Sequence, residues 1–261
     1  MSDPVKKDWN PEAYNRFRGL RLRPAMDLLA AIETAPAGDV IDLGCGNGVI
    51  GAALRARFAD ARIVGVDNSQ SMLDEAREAG DFDALVSADI AEWTAQTPPA
   101  LIFSNAALHW LPDHETLLKR LAGMLGAGGV LAVQMPHQNN APSHRLWVSL
   151  VEEMFAGRVD MTRGPKVMPP AQYHRILSPL GTLKLWETSY YQQLAPCENG
   201  HPVRHFTQST FARPILAALD GAEQLALVAA YEAVMDKAYP KAADGTVLFP
   251  FRRLFFTLKV E

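Results

Sequence analysis

The sequence predicts an α/β protein: a largely parallel sheet with helical segments gathered over it. Three observations carry this. From about residue 38 to 135, short apolar runs alternate with helical stretches. A glycine-rich turn, Asp42-Leu43-Gly44-Cys45-Gly46-Asn47-Gly48, sits where the first run meets the first helix. The chain is 261 residues long, 48% hydrophobic and 21% charged, which is enough to bury a substantial core.

The elements follow in order. The first 37 residues read as helical, with Arg23-Pro24 and then Met26, Leu28, Leu29 and Ile32. Asp39 to Leu43 is the first strand, followed by a helix over 49–58. Arg62 to Val66 is the second strand, and Asn68-Ser69 starts a helix near 70–79. Ala84-Leu85-Val86 is a weak third strand and Ala100 to Phe103 a fourth. Pro112-Asp113 opens a helix that Gly126 and Gly128-Gly129 stop, and Gly129 to Val133 is a fifth strand. Beyond Pro136 come a helix near 143–156, breaks at Gly164-Pro165 and Pro169-Pro170, and a helix near 170–178. A strand over 183–192, helices near 198–208, 212–219 and 221–238, and a last strand over 246–260 complete the chain. No repeat or flexible linker interrupts it. A single domain is expected, with a core of about 38–136, 180–192 and 246–260. Its cap would come from about 1–37, 137–179 and 193–240.

Charge and cysteine content exclude several classes. Lys plus Arg is 25 and Asp plus Glu is 29, a net charge of −4. That balance argues against nucleic acid, whose binders carry a basic patch. Two cysteines, Cys45 and Cys197, make no disulfide framework and fit a reducing compartment. The start of the chain has no apolar core, so no signal peptide is expected. No run approaches 18 apolar residues, so no membrane span is expected either. The expectation is a cytoplasmic protein, monomeric or weakly homo-oligomeric.

The glycine turn carries the chemistry. Its spacing is G-x-G-x-G after an acid, Asp42, and Val49 breaks the dinucleotide pattern G-x-G-x-x-G. No G-K-[ST] follows, so it is not a P-loop. Glycines here let the backbone approach a ligand, and flanking acids suit a cation better than a pyrophosphate. Asp67 ends the second strand, where its carboxylate can accept both hydroxyls of a ribose. Asp89 and Ile90 follow the third strand, where an acid and an apolar neighbour can hold an adenine amino group and ring. Cys45 has no base paired with it by motif and reads as packing, or as facing a ligand through its backbone. Asn68, Ser69 and Met72 either touch the ligand or only cap and pack the second helix.

These three acidic stations around the loop resemble the class I S-adenosylmethionine methyltransferase signature. The resemblance implies a Rossmann-like, mostly parallel sheet whose last strand is antiparallel. More narrowly, the chain is similar to the trans-aconitate 2-methyltransferase family over nearly its whole length. The residues that carry this are Asp8-Trp9-Asn10-Pro11, Arg21-Leu22-Arg23-Pro24, the run from Ser104 to His114, Leu131 to Pro136, Ser189-Tyr190-Tyr191 and Arg253-Leu254-Phe255. The resemblance implies methyl transfer from S-adenosylmethionine to a carboxylate of trans-aconitate, leaving S-adenosylhomocysteine and a monomethyl ester. It implies a cofactor site of Trp9, Asp42, Gly44, Cys45, Gly46, Asn47, Gly48, Asp67, Asn68, Met72, Asp89, Ile90 and Asn105. The chain departs from the pattern at Asn47, where such loops often have Pro, at His109, where relatives carry Gln, and at the extra residues Pro4 to Lys7.

Carboxyl methylation needs no general base, because the acceptor is already ionised near neutral pH. It needs alignment, exclusion of water and a grip on the remaining carboxylates. Arginine suits that grip, since its planar fork pairs bidentately with a carboxylate. Candidates are Arg21, Arg23, Arg213 and one of Arg252 and Arg253, which alternate across a strand; Arg253 matches the family pattern. The same alternation divides Tyr190 from Tyr191. Trp110 and His109 complete the substrate set, and a base at His109 would favour a hydroxyl or amine acceptor instead. A non-catalytic S-adenosylmethionine-binding protein is the alternative from another class. His201 and His205, at i and i+4, make half of a metal site, but no third ligand is evident and no metal is expected.

Overall fold

The computed structural model describes residues 18–160 and 167–261. Their elements are α1 (Arg18–Ala30), β1 (Val40–Leu43), α2 (Gly51–Arg57), β2 (Ile63–Asp67), α3 (Gln70–Ala79), β3 (Ala84–Ser87), β4 (Leu101–Asn105), α4 (His114–Met124) and β5 (Val130–Pro136). Then come α5 (Pro142–Met154), α6 (Pro170–Leu177), β6 (Gly181–Leu194), α7 (Pro202–Gln208), α8 (Arg213–Ala217), α9 (Gly221–Ala238) and β7 (Val247–Val260). Among the described residues each expected element is present with its ends shifted by a few residues, and two boundaries shift furthest. The helix described in the expected 1–37 segment is Arg18–Ala30, and residues 1–17 of that segment lie outside the described residues. The helix expected over 198–208 begins only at Pro202, because His201 caps it.

The seven strands lie in the order β3-β2-β1-β4-β5-β7-β6. β1 pairs in parallel with β2 and β4, β2 with β3, and β4 with β5. β7 runs antiparallel to β5. The amide of Val260 bonds the Gly129 carbonyl at the start of β5, and the His137 amide after its end bonds the Arg252 carbonyl. The mostly parallel sheet with its reversed last strand, β7, is the class I methyltransferase arrangement that the resemblance implied. β1, β4 and β5 are buried along nearly their whole length, so they read in the sequence as unbroken apolar runs. β3 lies at the sheet edge and is half open to solvent, which accounts for its weak signal.

The chain clusters into two compact units. The first runs to Met135 and adds Met168–Glu187 and Leu254–Glu261; the second is Pro136–Val167 with Thr188–Arg253. In the first, Ser69 caps α3 by accepting from the Met72 amide, and Asp113 caps α4 through the Thr116 amide. α1 and α6 belong to this unit.

The second unit has its own core. Trp147 of α5 stacks on Tyr231 of α9 with ring centres 3.9 Å apart, and its indole N–H donates to Thr207 Oγ1 at 3.0 Å. The Tyr231 hydroxyl donates to the Ser143 carbonyl at 2.9 Å, so each large ring meets its polar requirement inside the core. Asp220 starts α9 with a full capping box.

Candidate active site

The glycine turn leaves the carboxyl end of β1 with Gly44, Gly46 and Gly48 all at positive φ, 80°, 54° and 77°. The Gly44 and Cys45 amides donate to the Val66 carbonyl at 2.7 and 3.0 Å, which ties the turn to the end of β2. Asp67 adds a second tie: its Oδ2 accepts from the Gly46 amide and its Oδ1 from the Ser69 amide, each at 2.9 Å. Each carboxylate oxygen keeps a lone pair for a ligand hydroxyl. Asn47 Nδ2 donates to Glu75 Oε2 at 3.1 Å, so the residue that replaces the family's Pro pins the turn to α3.

Close approach explains the first glycine. A Cβ on Gly44 would lie 2.3 Å from the Ala107 Cβ and 3.2 Å from Ile90 Cδ1. Ile90 and the segment after β4 therefore converge on the turn. A Cβ on Gly46 would meet nothing within 4 Å, so the middle of the turn faces open space. Gly48 has another cause, since Phe82 Cε2 would lie 2.9 Å from its Cβ. The same ring crowds Gly51 and Gly65. The sequence reading missed Phe82, and the three glycines were its only trace.

Electrostatics single out Asp42. Its side chain is 1% exposed, and Oδ2 finds no hydrogen-bond partner among the described residues. Burial, with the nearby Asp67 charge, pushes its carboxyl up to about 8. Asn105, at the end of the adjacent β4, likewise buries an Oδ1 with no such partner. Ala106 next to it holds φ at 54°, a conformation that non-glycine residues seldom adopt and that recurs at functional sites. Two buried acceptors beside an open glycine turn suit a ligand with an ammonium group. The Cys45 thiol lies against the position a Gly65 Cβ would take, and burial raises its pKa. It packs on β2 and is not poised as a nucleophile.

Residues 40–129 match the family described as a methyltransferase domain. Trans-aconitate 2-methyltransferases from Methylobacterium radiotolerans and Azoarcus sp. are 39% and 42% identical, each across 95% of this chain and 96–97% of their own length. The chain belongs to the trans-aconitate 2-methyltransferase family. Among solved structures, the YcgJ protein from Bacillus subtilis matches with a TM-score of 0.58 at 13% identity, over 92% of this chain and 99% of that one. Haemonchus contortus phosphoethanolamine N-methyltransferase 2 in complex with S-adenosyl-L-methionine matches with a TM-score of 0.56 at 18% identity, over 95% and 56%. Both share the fold. This family member uses S-adenosylmethionine, and the open turn and orphaned acceptors fit that cofactor's cationic tail.

The remaining expected residues fall as follows. Asp89 is half-buried and turns one oxygen onto the Ala91 amide at 2.9 Å. Asn68 is exposed, and Met72 is buried on α3 behind the Ser69 cap. Trp9 lies outside the described residues, as does the side chain of Arg21. Arg23 is 73% exposed and ion-paired to Asp27 at 2.7 Å. His109 is buried and Trp110 is 38% exposed in a short 3-10 turn. His114 holds that turn: its Nε2 donates to the Leu108 carbonyl at 2.9 Å and its Nδ1 accepts from the Tyr173 hydroxyl at 2.6 Å.

In the second unit, alternation along the strands sorts the candidates. Arg253 is 3% exposed while Arg252 is exposed. Tyr191 is 69% exposed while Tyr190 is half-buried on the face shared with Gln192. Arg213 is half-buried at the start of α8. The histidine pair is structural. His201 Nδ1 accepts from the Val203 amide at 3.2 Å and its Nε2 donates to the Tyr239 carbonyl at 3.0 Å; His205 bonds the Asn199 carbonyl. No helix among the described residues is long and apolar enough to cross a membrane.

Proposed function

We propose that the chain methylates a carboxylate of trans-aconitate, giving the monomethyl ester. The observation that carries this reading is the relationship along nearly the full length to enzymes of that name. When bound, S-adenosylmethionine supplies a methyl carbon on a sulfonium, so the acceptor's oxygen lone pair forms the new bond as the C–S bond breaks and its electrons stay on sulfur. The chain's own residues then have three tasks. Asp67 takes the ribose hydroxyls, and Asp89 and Ile90 take the adenine edge and face. Asp42 and Asn105 receive the ammonium of the amino-acid tail over the Gly44–Gly48 backbone. Arg253, with Arg213, grips the carboxylates that do not react. A guanidinium in a water-poor site binds an anion far more strongly than one at the surface. No residue needs to take a proton, because the acceptor is an anion before it arrives.

The reading extends to a reducing, cytoplasmic compartment, which two free cysteines fit, and to a monomer or weak homo-oligomer. The test is a screen of mono-, di- and tricarboxylates with labelled S-adenosylmethionine. Trans-aconitate should give the highest kcat/KM. Turnover confined to hydroxyl or amine acceptors would reassign the acceptor, and cofactor binding without turnover of any acid would make the protein a binder.

A further inference from the structure

His144 stands at the start of α5 and is 8% exposed. Its ring lies against Phe211, with centres 4.5 Å apart, and faces Phe251 at 6.3 Å. The Arg253 guanidinium carbon sits 4.6 Å from the centre of the same Phe251 ring. These distances share one ring, so guanidinium and imidazole lie no more than about 11 Å apart. Two carboxylates of one small acid, each with a hydrogen bond of about 2.8 Å, can span such a gap.

We propose that His144 is a substrate-binding residue: its Nε2–H donates to a carboxylate of the acid whose other carboxylate pairs with Arg253. The inference rests on the preceding reading of the acceptor as a polycarboxylate. Three features support it. Among the described residues the His144 side chain makes one hydrogen bond, Nδ1 with the buried Ser143 Oγ at 3.0 Å. When that hydroxyl donates to Nδ1, the ring proton is fixed on Nε2. Nε2 makes no hydrogen bond among the described residues, so its proton is left for a ligand oxygen. The Ser143 bond accounts for Nδ1, but packing between Phe211 and Phe251 gives no reason for the second ring nitrogen, which is left unbonded. Burial also lowers its pKa to about 3, so the ring meets the substrate as a neutral donor and leaves charge recognition to arginine.

The test compares His144→Phe, His144→Gln and His144→Asn by calorimetric binding of trans-aconitate in the presence of S-adenosylhomocysteine, with turnover measured in parallel. A glutamine amide reaches about where Nε2 lies, and an asparagine amide only where Nδ1 lies. His144→Phe should weaken trans-aconitate binding and raise its KM at least tenfold, with S-adenosylhomocysteine affinity unchanged within twofold. Gln should restore binding to within threefold of wild type, and Asn should not. Wild-type binding in His144→Phe, or equal losses in all three, would overturn the inference and make His144 a packing residue. If His144→Phe does not fold, the Gln and Asn variants decide alone: equal behaviour overturns the inference. A wild-type protein that binds trans-aconitate without methylating it would overturn the function and leave this inference standing, provided the variants order as above. Failure of the wild type to bind any polycarboxylate would overturn both.

Discussion

The site candidates of the two units differ in the polar groups they bury. The first collects acceptors at its glycine turn: Asp42, Asp67 and Asn105 turn oxygens inward. The second collects donors: Arg253 is buried on β7 and His144 at the head of α5. On the function proposed above, the first set would suit a cation and the second a polyanion.

The largest effect is expected from Arg253→Met, which keeps the stem and deletes the fork. It should cost roughly 2–5 kcal/mol in kcat/KM for trans-aconitate while cofactor affinity holds. Wild-type kinetics, or an equal loss with a monocarboxylate, would move the grip elsewhere. The mirror test is Asp67→Ala, expected to cost roughly 1.5–3 kcal/mol in S-adenosylhomocysteine binding. It also removes the tie to the Gly46 amide. Calorimetry showing no change would take Asp67 out of the site.

A smaller effect comes from pH. Asp42, raised to about 8, must lose a proton to receive an ammonium. Affinity for S-adenosylhomocysteine should therefore fall as pH drops from 8 to 6, by up to about tenfold per unit, and Asp42→Asn should flatten the profile. Stability separates the units as well. A raised carboxyl favours folding at low pH and loses that contribution as pH rises through about 8, so Asp42→Asn should raise Tm more at pH 9 than at pH 5. A lowered histidine does the reverse. Stability held by neutral His144 is lost as pH falls below its ordinary value of 6.5, and His144→Phe should remove that slope. The smallest change is Arg23→Ala. An exposed i, i+4 pair contributes roughly 0.5 kcal/mol or less, so trans-aconitate kinetics should stay near wild type. A large loss would return Arg23 to the substrate site.

The sequence by itself determined the alternating strands, the glycine turn and its acids. The reason is locality: residues 42–48 are consecutive, and strands buried on both faces announce themselves as apolar runs. Strand alternation also foretold that Arg252 and Arg253 would part, though not which would turn inward. Tertiary structure alone decided the rest. Phe82 and Ala107 dictate where glycine must stand, yet both are remote from the glycines they crowd. His201 and His205 share metal-like spacing, but their carbonyl partners come from Tyr239 and Asn199. His144 meets Phe211 and Phe251 only because α5, the segment before α8 and β7 pack together. Contacts between distant segments leave no period in the sequence, so burial, orphaned oxygens and raised or lowered pKa values appear only once the chain has folded.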